Sequence, residues 1–149
     1  MNSDDIEKVL CNDVYTYPVF AGCFPSDALR DQTPVDYPSA YVFNYDPSDE
    51  PGTHWVATYF APDGRGEYFD SYGIAPLIPE FHTFLDENTH SWRINRRTLQ
   101  GPGSHVCGHY CVFYLLHRCR ERSMDSIVSL FDDCTKNNDE YVYRIVQSL

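Results

Sequence analysis

The residues with the strongest chemical character lie around Cys107-Gly108, where the breaker Gly101-Pro102-Gly103-Ser104 gives way to the apolar run Cys107 to Leu116. That run is apolar nearly all round, which predicts a buried central helix. A thiol at a helix N-terminus feels the partial positive charge of unpaired backbone N–H groups, and this favours the nucleophilic thiolate. Gly108 would let another backbone come close to the attacking sulfur, as an extended substrate requires, so it reads as substrate-binding. Cys111 and Cys119, deeper in the same run, read as small core hydrophobes.

A cysteine nucleophile needs an imidazole to take its proton and a third group to orient that imidazole. The chain has 6 histidines. On a helix, His105 and His109 would point away from the Cys107 thiol. His117 lies far down the run, and His82 and His90 sit in a polar surface stretch. His54 differs, because it opens a strand whose neighbour closes at Asp70. The turn Pro62-Asp63-Gly64-Arg65-Gly66 joins the two as a hairpin, so the start of one strand lies beside the end of the other. Asp70 thereby becomes the neighbour of His54, provided the register holds; a one-residue slip would turn it to the opposite face. Gln100, shortly before Cys107, could donate its amide to the oxyanion of a tetrahedral intermediate, together with the Cys107 N–H. The alternation of His105, Cys107, His109 and Cys111 also raises zinc. A helix sets residues i and i+2 on different sides, however, and zinc sites pair Cys-x₂₋₄-Cys with a distant second pair. No metal or other cofactor is expected.

Several elements must position these groups. A helix is predicted over Asp4 to Leu10 behind a Ser3 cap, and Phe24 to Pro38, crowded with prolines, reads as loop. Strands are predicted at Tyr41 to Tyr45, His54 to Phe60, Glu67 to Asp70 and Trp92 to Ile94, with a turn over Asp46 to Gly52. Further helices are expected from Pro79 to Asn88, Met124 to Phe131 and Glu140 to Leu149. An antiparallel meander followed by helices gives an α+β class, with the sheet packed on the buried central helix. No linker divides residues 1–149, so one domain is expected.

Composition narrows the partners. With 42% hydrophobic and 15% aromatic residues over 149 positions, the chain can bury a core without metal or disulfide staples. No apolar run approaches the roughly 20 residues of a membrane span. Eleven basic against 22 acidic residues give a net charge of −11, which disfavours nucleic acid and anionic membrane as partners. The cysteines at 107, 111 and 119 are spaced for one helix rather than for disulfides, and the polar start Met1-Asn2-Ser3-Asp4-Asp5 is no secretory leader. A reducing compartment is expected, not secretion.

The run from Gln100 to Gly108, with Gly52-Thr53-His54-Trp55 and Phe69-Asp70-Ser71-Tyr72-Gly73, resembles the adenain (adenovirus protease) family of cysteine proteases. More distantly it is similar to the Ulp-like proteases that process SUMO-like modifiers. The resemblance covers the chain from about Val19 to Leu116. It implies a papain-like cysteine protease core in adenain/Ulp order. Cys107 would then be the nucleophile, His54 the general base and later acid, Asp70 the group orienting His54, and Gln100 part of the oxyanion hole. Trp55 would pack over the active site as a substrate-binding residue. Two family features do not carry over. No cysteine occurs between Cys23 and Cys107, so any activating peptide would lack the family's disulfide tether. Stimulation by DNA does not suit so acidic a chain.

The implied function is a cysteine endopeptidase from a divergent virus or virus-like mobile element. It would cleave structural precursors after small residues, often Gly, in the host nucleus or cytosol or in the virion. The alternative within the same fold is an isopeptidase that removes ubiquitin-like modifiers from proteins. Enzymes of that kind commonly carry Asp before Cys-Gly, where this chain has Val106.

Overall fold

The computed structural model describes residues 1–49 and 53–149. The predicted turn over Asp46 to Gly52 therefore falls partly outside the described residues, as does Gly52 of the motif before His54. Five strands lie in chain order across one sheet: β1 (Phe20–Phe24), β2 (Ser39–Asn44), β3 (Trp55–Phe60), β4 (Arg65–Phe69) and β5 (Ser91–Ile94). The central β2, β3 and β4 form the expected antiparallel meander. Each edge adds a parallel strand to that meander, since β1 runs parallel to β2 and β5 parallel to β4. Parallel neighbours need a crossover rather than a hairpin. Helix α2 (Pro79–Asn88) lies on the chain between β4 and β5. Between β1 and β2 the stretch read as loop contains a short 3₁₀ turn, Ser26–Asp31.

Strand side chains alternate between the two faces, and here both faces are covered. Ala57 and Tyr59 of β3 enter one core with residues of α1 (Ser3–Asn12), α3 (Cys107–Arg118), α4 (Met124–Val128) and α5 (Thr135–Gln147). Val56 and Phe60 enter the other, with Phe81, Phe84 and Leu85 of α2. The helix α3 is buried from Cys107 through Leu115, which is why its sequence shows no polar face. Tyr114 stacks on Phe69 with ring centroids 4.3 Å apart. Its hydroxyl donates to Glu67, which also accepts from Arg118 Nε at 2.9 Å, so the buried carboxylate is paired. At the chain start Asn2, not Ser3, caps α1. Its side chain accepts from Asp5 N–H while the Asp5 carboxylate accepts from Asn2 N–H. The last helix begins at Thr135, earlier than the expected Glu140, because polar residues of its first turn are held by the loop before α3. Among the described residues, no helix is long and apolar enough to cross a membrane.

One backbone position matters for the site. Gly73, with φ +70°, lies where a Cβ would fall 2.7 Å from the Arg97 carbonyl group. Only glycine lets the turn after Asp70 close against the segment after β5. Gly73→Ala should therefore destabilise the fold by roughly 2–4 kcal/mol, combining a left-handed backbone penalty with a backbone clash. Urea unfolding monitored by tryptophan fluorescence measures this.

Candidate active site

The hairpin β3-β4 and the N-terminus of α3 deliver the candidate groups to one place. In the β3-β4 register Ala57 faces Phe69, so the residues just before β3 and just after β4 meet at the same end of the pair. There His54 Nε2 lies 2.7 Å from Asp70 Oδ1. The same imidazole faces Cys107, the first residue of α3, closely enough for each group to shift the other's titration. The structure thus brings together Cys107, His54 and Asp70 from three separate parts of the chain.

The electrostatics follow from that contact. Burial alone would push the Cys107 thiol up, since it is only 9% exposed. Hydrogen bonding to His54, with the N–H groups of Trp55 (3.5 Å from Sγ) and Gly108, outweighs burial and holds the thiol below its usual value. Burial likewise works against a charged His54, yet hydrogen bonds to Asp70 and Cys107 win and raise the imidazole to about 9. Both shifts favour a thiolate beside an imidazolium. The other cysteines whose titration shifts behave oppositely: burial pushes Cys23 and Cys111 up strongly, and Cys119 up to about 11. Two tyrosine rings lie against the imidazole, Tyr45 nearly parallel at 5.6 Å and Tyr72 tilted at 5.2 Å. Aromatic faces carry negative partial charge and favour a cation at that distance.

Asp70 is locked from several directions. Its Oδ1 accepts from Tyr72 N–H at 3.0 Å and its Oδ2 from Ile74 N–H at 3.3 Å. Asn95, just past β5, accepts from Asp70 N–H at 2.9 Å and donates to the Asp70 carbonyl at 2.6 Å. Gln100 is buried and held at both ends of its amide. Ser71 Oγ donates to its Oε1 at 2.6 Å, and its Nε2 donates to the Ser104 carbonyl at 3.0 Å. A carbonyl can only accept, so the amide orientation is fixed. The turn carrying Gln100 is tied to α5: Asn138 donates to the Leu99 carbonyl at 3.1 Å, and Gly101 N–H donates to Asp139 at 3.2 Å. Sequence reasoning gave no role to Ser71 and Tyr72, quoted only as part of a motif, and missed Asn95, Tyr45, Asn138 and Asp139.

Trp55 and Gly108 sit beside the thiol, and both also pack against the start of the chain. The indole of Trp55 donates to the Met1 carbonyl at 3.3 Å. A Cβ on Gly108 would lie 3.2 Å from Met1 Cβ and 3.3 Å from Trp55 Cδ1. The missing side chain thus makes room for α1 and Trp55 rather than for a substrate backbone, which corrects the reason given for Gly108. His109 turns away from the thiol toward α5, where its Nε2 lies 3.1 Å from Gln147 Nε2, and burial lowers its pKa to about 4. Among the described residues, no three His, Cys, Asp or Glu side chains converge as a metal site.

Comparison with known proteins puts this arrangement in context. No family model matches the chain. A protein of Acanthamoeba polyphaga mimivirus assigned as a thiol protease is 30% identical over 129 residues, 80% of this chain. The chain spans 41% of that protein's length. Among solved structures, the Chlamydia trachomatis effector Cdu1 bound to ubiquitin superposes with a TM-score of 0.65 at 17% identity, covering 99% of this chain and 91% of that one. The ASFV protease gives 0.61 at 20% identity, over 93% of this chain and 64% of that one. The fold is that of the papain-like cysteine proteases. The order of elements seen here is shared by these structures.

Two consequences of the geometry can be measured. In a Cys107→Ala background, Asp70→Asn should lower the His54 pKa by roughly 1–3 units, since it removes the carboxylate that favours the imidazolium; NMR titration of the ring reads this. Asp139→Ala should speed amide hydrogen exchange at Gly101, because the Gly101 N–H loses its half-buried side-chain acceptor.

Proposed function

We propose that this chain is a thiol protease working by acyl transfer through Cys107. The reading is supported by one feature: the imidazole held by the buried Asp70 carboxylate neighbours the thiol that opens α3. The Cys107 thiolate attacks the carbonyl carbon of the scissile amide. The Cys107 N–H and the Gln100 amide receive the oxyanion. For this, a Gln100 N–H must turn from Ser104 to the substrate, so Ser104 competes for that donor. The His54 imidazolium protonates the leaving amine, and His54 then takes a proton from the water that hydrolyses the thioester. Asp70 keeps the imidazole in place through both steps.

For the substrate, removal of ubiquitin-like modifiers has the broader support, since the similarity to the ubiquitin-bound Chlamydia effector runs over nearly the whole of both chains. Cleavage of viral or element-encoded precursors after small residues is the second reading. It is favoured by Val106, where Ulp-like enzymes commonly carry Asp, and by the similarity to a mimivirus thiol protease. Trp55 is the best placed of the candidate substrate contacts. An activating peptide, without a disulfide tether, is compatible with either reading.

The test compares fluorogenic ubiquitin-like conjugates with peptides ending in Gly at the cleaved bond. Release from the conjugates is the expected result, and cleavage of precursor peptides alone would reverse the substrate assignment. Cys107→Ala should abolish either activity while leaving the fold intact, and undiminished activity in that variant contradicts the mechanism. In the native enzyme kcat/KM should rise at pH values below the ordinary thiol range, as Cys107 ionises. It should fall again near pH 9, as His54 loses its proton.

A further inference from the structure

Asp70 and Gln100 serve different halves of the reaction, one orienting the imidazole and the other receiving the oxyanion, and a single residue joins them. Ser71 follows Asp70 directly, just past β4. Its carbonyl accepts from Leu99 N–H at 2.9 Å and from Gln100 N–H at 3.0 Å. Its hydroxyl donates to Gln100 Oε1 at 2.6 Å. Ser71 and Gln100 are each 1% exposed, so water does not compete for these bonds. The other end of the amide is held by a more accessible partner. Gln100 Nε2 donates to the carbonyl and to the hydroxyl of Ser104, at 3.0 and 2.9 Å, and Ser104 is only half-buried. During acyl transfer Nε2 has to give up a Ser104 contact for the substrate oxygen. Throughout that exchange Oε1 has to stay turned away, because an acceptor facing a developing negative charge repels it.

We propose that Ser71 is a positioning residue for the oxyanion hole. The proposal rests on the reading of Cys107 as nucleophile and Gln100 as oxyanion donor. The Ser71 hydroxyl anchors the Oε1 end of the amide while the Nε2 end changes partners. The two ends of an amide have nearly the same size and shape, so packing alone does not choose between them; a donor at one end does. Oε1 carries no proton, so the hydroxyl must donate, and the flipped amide would leave two donors facing each other. The two backbone bonds to the Ser71 carbonyl set the depth of the Gln100 turn against the Asp70 turn. One serine thereby keeps the oxyanion donor in register with the residue that orients His54.

The test compares Ser71→Ala, Gln100→Ala and the double variant in the full chain, using a fluorogenic ubiquitin-like conjugate and a peptide with Gly at the cleaved bond. Ser71→Ala should lower kcat and kcat/KM together by roughly tenfold or more with KM little changed, because the interaction it supports forms only in the transition state. On the Gln100→Ala background the same substitution should cost less than about twofold, since the amide it positions is gone. Alkylation of Cys107 by iodoacetamide forms no oxyanion, so in Ser71→Ala it should stay within about twofold of the parent rate. Unchanged cleavage in Ser71→Ala overturns the proposal. So does an undiminished loss on the Gln100→Ala background, or alkylation slowed as much as cleavage, since either makes Ser71 a support of the fold or of Asp70 instead. Should Ser71→Ala not fold, Ser71→Cys carries the same comparison, because it keeps nearly the same volume and offers only a weak donor. A parent protein that cleaves neither substrate, or a Cys107→Ala protein that cleaves as well as the parent, overturns the protease reading itself.

Discussion

The site depends on setting a thiol beside an imidazole so that each favours the charged form of the other. Cys107 is nearly buried, and burial by itself would keep its thiol protonated. His54 is mostly buried too, and burial by itself would keep its ring neutral. Each becomes chargeable because the other is within hydrogen-bonding reach and because further groups favour the charged forms. Asp70 contributes a carboxylate to the imidazolium, while the N–H groups of Trp55 and Gly108 contribute to the thiolate. A unit of pKa corresponds to about 1.4 kcal/mol between protonation states, so modest losses of alignment are enough to neutralise the pair.

Alignment at that level demands a rigid frame, and the rest of the fold supplies it. The thiol rides on a helix buried on all sides, and the imidazole sits where the tightly paired β3-β4 hairpin begins. Asp70 is gripped through its own backbone by Asn95, so the turn after β4 cannot drift away from β5. The Gln100 turn is anchored by α5, the last helix of the chain, across a long sequence separation. Terminal elements that look remote from the chemistry thus help set the shape of the site. The same holds for the chain start, where Met1 accepts from the Trp55 indole and, with Ile6 of α1, lies over the bare face of Gly108.

Much of this was legible in the sequence, for identifiable reasons. A hairpin with a glycine-rich turn has few ways to close, so the meeting of His54 and Asp70 follows from its ends. Proline at the start of α2 and the unbroken apolar run of α3 mark those helices well. Other features left no readable pattern. The strand β1, Phe-Ala-Gly-Cys-Phe, lacks alternation and has a register irregularity between Phe20 and Gly22. Its parallel pairing depends on a crossover that local sequence cannot specify. Asn95, Asn138 and Asp139 act by bonding distant backbone groups, and polar residues with such roles look like any solvated surface. Gly108 was read for its freedom of approach, which is real, but the approaching group is the protein's own N-terminal helix.

The ionic state of Cys107 is the most direct test of this account. Thiolate absorbance near 240 nm, taken as the difference between the native protein and Cys107→Ala, should appear below the ordinary thiol range. Replacing His54 with Ala should remove it until the pH rises above the ordinary thiol range. A native protein whose Cys107 signal emerges only above pH 9, and is indifferent to His54, would contradict the claim that these two groups share a charge pair.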